Sequence, residues 1–409
     1  MLLSMAATPV DGKTPSSLRN RDEALRLFGD RATTYFDGMW QGDPLADAFV
    51  ADFATIGHGR GMRMLRQACR DGVDAVEDAP DSLRALFAQL DARPGWVDLA
   101  KINRDSRHLA RYTRQAGIVL GAASLVSGYA NSAASRPLEL TGRYVENAGM
   151  RTIEVGSWLL AINADHGLER DQPGFELTVR VRIIHALVRR QLLASPDWDT
   201  AAWGVPICQA YLAYTLIEFC LIPLRGMRAI GAAYLPREVD AYYDTWRYVG
   251  HLLGIDASLL PTDAAEQGVL EDLYLLTRPP VDDYCVRLVA AINEDFLVPE
   301  IEELLPRRLY DVAPPVVHGL ERIFLGNDIA TELSVPATRL TPLIRLVGAL
   351  FLMINLVIDK IPGTLPMRTR MGERYRDKQE VRLRSRYGVR HDLVDDSPAT
   401  GRPHPARTP

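Results

Sequence analysis

Residues 175–231 constrain the fold most, because two long apolar stretches are joined there by a short aromatic connector. In the first stretch, apolar residues recur at the spacing of one face of an α-helix. This face comprises Val181, Ile184, Val188 and Leu192. His185 lies within it. The spacing therefore predicts a long helix that turns an imidazole towards the protein interior.

Two arginines flank this histidine on the same helix. Arg182 precedes His185 by about one turn, and Arg189 follows it by about one turn. A guanidinium group is always charged and is costly to bury without an anion. A haem would satisfy all three side chains, with its iron on His185 and its propionates on the arginines. The alternative is a hydrogen-bonded core histidine whose neighbouring arginines pair with Asp or Glu.

Composition places the chain among globular proteins with a sizeable core. It has 409 residues, of which 47% are hydrophobic and 24% charged. The net charge of −5 does not favour a nucleic-acid partner, because nucleic acids are themselves negatively charged. The four cysteines are scattered without a CxxC pair, so we expect reduced thiols in a reducing compartment and no zinc site.

The patterns along the chain are helical throughout. We find no sustained strand alternation, no fixed-period repeat, and no P-loop, dinucleotide, GxSxG or HExxH motif. The sequence predicts an all-α protein, built as a single large multi-helix domain that encloses a haem or apolar pocket. We place a flexible N-terminus at 1–20, the helical domain at 21–365, and a basic helix with a disordered tail at 366–409.

Segments near the two ends of the chain indicate where in the cell the protein is expected. The N-terminal apolar run is too short for a secretory signal and lacks a basic n-region, so the expected location is cytoplasmic. The apolar run 347–358 is shorter than the ~20 residues needed to span a bilayer, which predicts a buried helix. A strongly basic segment, 367–390, follows it. The alternative is peripheral membrane contact through 347–390.

Polar side chains in otherwise apolar stretches are further candidates for a site. Glu218 is the only charge in 210–224, and either pairs with Arg225 or Arg228 or faces a pocket. His251 adjoins the apolar face of another helix and is a second, weaker candidate ligand. The segment 115–136 is rich in Gly, Ala and Ser, which favours close helix packing or a flat ligand.

Several spaced motifs together resemble a known family. They are GDPLAD at 42–47, LTGR at 140–143, Arg151-x-x-Glu154, VRVRIIHALVR at 179–189, WGVPICQ at 203–209 and WRYVGHLLGID at 246–256. In this order they resemble the all-helical haem-oxygenase-like family, which includes bacterial rubber oxygenases (latex clearing protein) and the fungal oxygenase of the mycophenolic-acid pathway. The resemblance covers about residues 40–260.

The resemblance implies roles for particular residues. His185 matches the proximal ligand of a b-type haem, Arg182 and Arg189 match its flanking arginines, and Arg151 matches a distal arginine. Rubber-cleaving members carry a lysine and a threonine soon after that arginine, where this chain has Glu154 and Val155. The local charge is therefore reversed. Glu154 either acts as a base near the cofactor or pairs with Arg151.

From these residues we expect a b-type haem-dependent oxygenase. Its substrates would be dioxygen and a hydrophobic small molecule, such as a terpenoid, lipid or polyketide. We do not expect cleavage of rubber, because the distal residues differ. The substrate would occupy an apolar pocket lined partly by 115–135 and 210–224. The alternatives are a non-catalytic carrier of haem or of an apolar ligand, and a membrane-surface interaction protein.

Overall fold

The computed structural model describes residues 14–142 and 145–387, except for the side chain of Glu146. Within these residues the regular structure is helical, and no strand is present. The helices of the first half are α1 (Arg21–Phe28), α2 (Asp30–Gly38), α3 (Pro44–Ile56), α4 (His58–Asp71), α5 (Asp81–Asp91), α6 (Leu99–Ser106), α7 (Thr113–Val119), α8 (Val126–Gly128), α9 (Ser132–Thr141), α10 (Ala148–Ile162) and α11 (Pro173–Leu193).

The second half continues in the same way. Its helices are α12 (Thr200–Trp203), α13 (Gln209–Phe219), α14 (Leu221–Ala229), α15 (Pro236–Leu252), α16 (Ala264–Thr277), α17 (Asp283–Ile292), α18 (Val298–Glu302), α19 (Ala313–Leu325), α20 (Asn327–Glu332), α21 (Thr341–Ile358) and α22 (Thr364–Arg386). Two π-helical segments, Leu120–Leu125 and Asn293–Leu297, join α7 to α8 and α17 to α18. The predicted all-α class is confirmed.

Local sequence signals explain where α3 begins. The side chain of Asp43 accepts a hydrogen bond from the backbone N–H of Ala46, and Pro44 occupies the first helical position. Proline is suited to that position because its missing N–H would have no helical partner. An Asp directly before a Pro is thus a local sequence signal for the start of this helix.

α10 and α11 form an antiparallel pair. A Cβ atom on Gly174, at the start of α11, would lie 2.6 Å from the carbonyl oxygen of Ala161, at the end of α10. One turn further along, the indole N–H of Trp158 donates to Thr178 Oγ1 at 3.0 Å. Glycine at 174 is thus what allows the two helices to approach closely.

α13 lies antiparallel to α11 as well. Arg189, near the end of α11, donates to the carbonyl oxygen of Ile207 just before α13, at 3.1 Å. At the other end, the ring of Phe219 lies 5.6 Å from Trp158 and 5.3 Å from Trp246 of α15. These three aromatic rings close one end of the space between α10, α11 and α13.

The prediction of a buried helix at 347–358 is wrong. The helix is α21, which has 18 residues, and only 11% of them are buried inside the molecule. It touches the body along a narrow stripe, where Gly348 meets the backbone of Ala229 and Asn355 donates to the carbonyl oxygen of Gly231 at 2.7 Å. A twelve-residue apolar run does not reveal whether neighbouring helices cover it. The other apolar stretch of comparable length, Gln209–Ala229, is 78% buried and belongs to the core.

The basic segment at the C-terminus forms α22, which packs along the body of the protein. A Cβ atom on Gly372 would clash with the carbonyl oxygen of Ala110, so α22 approaches that backbone closely. A buried ion-pair network fixes the turn before α22, with Arg111 bonded to Glu238 at 2.8 Å and to Asp359 at 3.3 Å. The tail predicted at 391–409 lies outside the described residues, as do residues 1–13 of the predicted flexible N-terminus.

Candidate functional site

His185 lies deep in the protein without a hydrogen-bond partner for its Nδ1 atom among the described residues. Burial and the charge of Arg189 lower the pKa of His185 to about 4, so the imidazole is neutral at physiological pH. The residue nevertheless retains partial accessible surface. Because the residue is both deep and partly accessible, we infer that it borders an interior void. Since Nδ1 is buried, Nε2 is the nitrogen that remains available to a ligand.

The helix register places Arg151 opposite His185. Arg151 precedes Trp158 by seven residues on α10, and His185 follows Thr178 by seven residues on α11. Trp158 and Thr178 are hydrogen bonded, and seven residues correspond to about two turns or ~10 Å along each axis. On antiparallel helices, Arg151 and His185 are therefore level and turn towards each other across the space between α10 and α11.

Arg182 is held by protein groups. Its Nε and Nη2 atoms donate to the two carboxylate oxygens of Asp43 at 2.5 and 3.0 Å, and Nη1 donates to Gln89 Oε1 at 2.6 Å. Both charged side chains are almost fully buried, at 2% and 3% exposure. A Cβ atom on Gly254, which has φ +77°, would lie 2.5 Å from this guanidinium. Glycine at 254 therefore makes room for the arginine.

Arg189 also has a carboxylate partner. It donates to Asp47 Oδ1 at 2.5 Å and to the carbonyl oxygens of Pro206 and Ile207 at 3.2 and 3.1 Å. Burial raises the pKa of Asp47, although the nearby Arg189 charge opposes this effect. Burying the two arginines requires anions, and these are Asp43 and Asp47 at the start of α3. Both arginines therefore pair with protein carboxylates, which was the alternative to pairing with haem propionates.

The weaker candidate ligand, His251, belongs to the Arg182 network. Its Nε2 atom lies 3.1 Å from Gln89 Nε2, and its ring stacks on Tyr248. Burial and the charge of Arg182 lower the pKa of His251. Gln89 thereby connects the two side chains. His251 therefore helps to hold Gln89 beside Arg182. Unlike His185, it has a hydrogen-bond partner.

Arg151 and Glu154 form an ion pair on α10. The Nη1 atom of Arg151 lies 2.7 Å from Glu154 Oε2, and the side chains are 32% and 13% exposed. The pairing that the sequence offered as one alternative is present. Because Arg151 is level with His185, this ion pair places one cation and one carboxylate on the α10 side of the void.

Glu218 has no hydrogen-bond or ion-pair partner in the described part of the chain. The expected partner Arg225 instead pairs with Glu271 of α16. Burial alone raises the pKa of Glu218 to about 8, which leaves the carboxyl group protonated at neutral pH. The sequence identified this residue as exceptional, but its surroundings became visible only in the structure.

A cavity of about 460 Å³ lies on the opposite face of α10 from Arg151. Thr152, Gly156, Leu160 and Asn163 of α10 line it, and these residues share one helix face. Parts of both expected segments, 115–135 and 210–224, also line it, in agreement with the expected apolar pocket. Phe219, whose ring stacks on Trp246, also lines this cavity.

Sequence reasoning missed two groups that the fold brings to the site. From the sequence, Asp43 stood out only as part of the motif at 42–47 and not as the partner of Arg182, and Gln89 was not singled out. Both lie more than ninety residues from Arg182 in the sequence, so no local pattern connects them. The spacing of charges on α11 could signal only that such partners were required.

Together, these features define a helical protein in which a deep, neutral imidazole has no partner for Nδ1 among the described residues. Comparison with known proteins identifies the family. The family described as "ER-bound oxygenase mpaB/B'/Rubber oxygenase, catalytic domain" matches residues 110–354, which is more than half of the chain. The chain therefore belongs to this family, and the resemblance seen in the sequence is confirmed.

Individual proteins agree with this assignment. The rubber oxygenase of Streptomyces sp. (strain K30) is 24% identical over 284 residues, covering 66% of this chain and 65% of that protein. The match thus spans slightly less than two thirds of that relative's length. The structure of latex clearing protein in the closed state has a TM-score of 0.65 at 18% identity, covering 83% of this chain and 91% of that chain. This likeness shows the shared fold.

Proposed function

We propose that this protein is a b-type haem-dependent oxygenase that acts on a hydrophobic small molecule with dioxygen. The observation that carries the proposal is the state of His185, which is neutral, deep yet partly accessible, and without a partner for Nδ1 among the described residues. Membership in a family of oxygenase catalytic domains supports it. Rubber is not the proposed substrate, since Glu154 and Val155 replace the cation and hydroxyl expected of rubber-cleaving members.

The residues around His185 fit a haem. A neutral imidazole with Nε2 free is the form that binds iron, and an uncharged ring is retained at physiological pH because burial lowers its pKa. Arg182 and Arg189 are paired with Asp43 and Asp47, so in this proposal they position α11 and leave no net charge on that side of the void.

Haem would supply dioxygen activation, which amino-acid side chains do not perform. The protein would contribute binding, orientation and polarity. His185 would hold the group through Nε2, and the Arg151–Glu154 pair would set polarity on the facing side. The aromatic floor of Trp158, Phe219 and Trp246 would exclude water from one end of the void.

Absorption spectroscopy tests the cofactor directly. Protein expressed with a haem precursor should show a stoichiometric Soret band, and His185→Ala should lose it while keeping its helical circular dichroism. His318→Ala is the matched control, because His318 lies on α19, outside the α10–α11–α13 region. Retained haem with unchanged axial ligation in His185→Ala would refute the assignment.

Turnover separates the proposed oxygenase from a carrier. An oxygenase consumes dioxygen only when a substrate is present, whereas a carrier binds an apolar ligand without consuming oxygen. Oxygen-electrode measurements with terpenoid, lipid and polyketide candidates therefore identify both the activity and the substrate class. A haem-loaded protein that binds such ligands without oxygen uptake would favour the carrier.

A second candidate function is peripheral membrane contact through 347–390, and the exposed face of α21 favours it. Leu346, Leu350, Met353 and Val357 are 66%, 58%, 61% and 61% exposed on a helix of mean hydropathy 2.0. Such a contiguous apolar surface is unusual on a soluble monomer. Exposed Arg345 and Lys360 would meet anionic headgroups, while α21 lies along the interface. We propose a cytoplasmic location at a membrane surface.

Vesicle co-sedimentation tests this contact. We expect binding to phosphatidylcholine vesicles that increases when phosphatidylglycerol is added, and its loss in Leu346→Glu/Leu350→Glu. The matched control is Leu27→Glu/Val269→Glu, which adds the same charge at exposed apolar positions on other helices. Equal loss in both double variants, or no binding by the wild type, would refute membrane contact through α21.

A further inference from the structure

One face of α22 lines the cavity of about 460 Å³. The residues concerned follow the spacing i, i+1, i+4, i+5, i+7 and i+8, which places them on a single side of a helix. They are Tyr375, Arg376, Gln379, Glu380, Arg382 and Leu383. The buried part of the lining is mainly apolar and includes Ile153, Phe219 and Leu297. The second half of α22 therefore forms a polar wall of an otherwise apolar cavity.

α22 also contacts the elements at the mouth of this cavity. Exposed lining residues mark the mouth, among them Arg114 of α7 and Glu303 directly after α18. The guanidinium group of Arg114 lies over the ring of Tyr375, 5.0 Å from its centroid. Arg386, at the end of α22, pairs with Glu303 at 2.9 Å. The second half of α22 thus lies across the mouth, from α7 to α18.

The first half of α22 is docked by buried contacts. Thr369 and Gly372 are its buried residues. Thr369 Oγ1 lies 3.0 Å from His108 Nδ1, and Gly372 lies directly against the backbone of Ala110. Glycine is also among the weakest helix formers, so α22 can bend or fray more easily beyond this point.

The second half of α22 is attached mainly by ion pairs. Arg382 pairs with Glu300 of α18, and Arg386 pairs with Glu303. The side chains are 36% and 17% exposed in the first pair, and 33% and 56% exposed in the second. Ion pairs that water reaches stabilise a structure only weakly, and salt screens them.

Apolar contacts of the second half are few. No residue of α22 beyond Gly372 is buried. Leu383 and Tyr387, the residue directly after the helix, are partly exposed. The ring of Tyr387 lies 5.9 Å from that of Phe296. Detaching the second half consequently exposes little apolar surface, whereas detaching the first half would break buried contacts.

We propose that the second half of α22 is a gate that admits an apolar small molecule to the cavity. In the closed form, which the structure shows, residues 375–386 lie across the mouth. In the open form they leave Glu300 and Glu303 and move away from α7, while residues 364–372 stay docked. The family match ends at residue 354, so the gate lies outside the matched catalytic domain. This inference goes beyond the proposed function, because a gate would serve an oxygenase and a carrier alike.

Stopped-flow fluorescence with Nile red, a neutral apolar dye, tests the gate on the full-length protein. A ligand that enters through the open form associates at a rate that scales with the population of that form. Arg382→Gln/Arg386→Gln, the gate variant, removes both ion pairs. Its association rate constant should exceed that of the wild type about threefold to tenfold. Circular dichroism confirms that each variant is folded.

The matched control removes the same charge from ion pairs of the same kind elsewhere. It is Arg60→Gln/Arg84→Gln, whose exposed arginines pair with Asp78 and Asp74. Its association rate constant should equal that of the wild type. Salt does not steer a neutral dye, so raising potassium chloride from ~0.02 M to ~0.5 M should speed association with the wild type and with the control, and not with the gate variant.

Two further measurements locate the dye and the motion. Gly156→Leu fills the cavity, since Gly156 lines it and an added Cβ atom meets only Leu120 at an ordinary 3.7 Å. This variant should bind Nile red at least about tenfold more weakly, as should Leu160→Trp on the same helix face. Hydrogen exchange followed by mass spectrometry should be faster in the gate variant at 375–386 and unchanged at 364–372.

Several results would overturn the proposal. They are equal association rate constants in the wild type and the gate variant, an equal rise in the control, and hydrogen exchange that is unchanged or accelerated along the whole of α22. Undiminished Nile red binding in both cavity-filling variants, or no binding by the wild type, would do the same. Failure of the haem proposal is recognised separately, because a missing Soret band changes none of these outcomes.

Discussion

The buried pair of Asp43 and Arg182 gives the sharpest stability prediction. Asp43→Ala removes both carboxylate acceptors of a guanidinium that is only 2% exposed. Leaving one member of a buried ion pair unpaired costs about 3–5 kcal/mol. The same side chain caps α3 through Ala46, and losing such a cap costs about 1 kcal/mol. The free energy of unfolding should therefore fall by about 4–6 kcal/mol.

Asp47→Ala is the matched comparison, because Asp47 occupies the same helix and pairs with the other flanking arginine. Its side chain is 36% exposed, and Arg189 would keep the carbonyl oxygens of Pro206 and Ile207 as acceptors. We expect a loss of about 1–2 kcal/mol. Urea unfolding followed by far-ultraviolet circular dichroism measures both losses through the transition midpoint and slope.

A third variant separates the lost ion pair from the lost cap. Asp43→Ala/Arg182→Met removes both charges and should recover most of the stability lost in Asp43→Ala, because no uncompensated guanidinium remains. Equal losses in Asp43→Ala and Asp47→Ala would refute the reasoning. So would a double variant as unstable as Asp43→Ala, since burial of an unpaired charge would then not be the cause.

Two further predictions concern carboxyl groups elsewhere. Glu154→Gln should shift the absorption spectrum of the haem-loaded protein, since the Arg151–Glu154 pair is level with His185; an unchanged spectrum and unchanged oxygen uptake would make Glu154 a structural partner only. Glu321 has a pKa raised by burial to about 8, so above pH ~4.5 the unfolded chain releases its proton first and rising pH destabilises the fold. Glu321→Gln should therefore become progressively more stable than the wild type between pH ~5 and ~8 in urea unfolding, by up to about 1.4 kcal/mol per pH unit; a constant difference would contradict this.

The fold class and the central helix could be predicted from sequence because their signals are local. The 3.6-residue periodicity around His185 is a property of one face of one helix, and it correctly predicts a helix there. That helix is α11, which spans Pro173–Leu193. The cap at Asp43 is similarly local. The partners of Arg182 were not predictable, because Asp43 and Gln89 reach it only through the packing of α3 and α5 against α11.

The wrong prediction that α21 is buried has the same origin, because burial too depends on contacts between segments that are distant in the sequence. Hydropathy indicates that a segment avoids water, and it does not indicate what covers the segment. The core stretch 209–229 and the surface helix α21 are both apolar, yet one is 78% buried and the other 11%. The difference arises from neighbours: α13 is enclosed by several helices, whereas α21 meets the body along one stripe that includes Ile344, Gly348 and Asn355.

The distribution of charge around His185 explains why the two arginines are compatible with an apolar ligand. If Arg182 and Arg189 were free, the void would hold two positive charges and would favour anions. Asp43 and Asp47 neutralise them from the side of α3, which leaves the imidazole neutral and the void without net charge from α11. In the proposed function, polarity beside the ligand then comes from another helix, through the Arg151–Glu154 pair of α10. Substitutions on α10 should accordingly change the nature of the ligand, while substitutions of the arginine–aspartate pairs should change stability first.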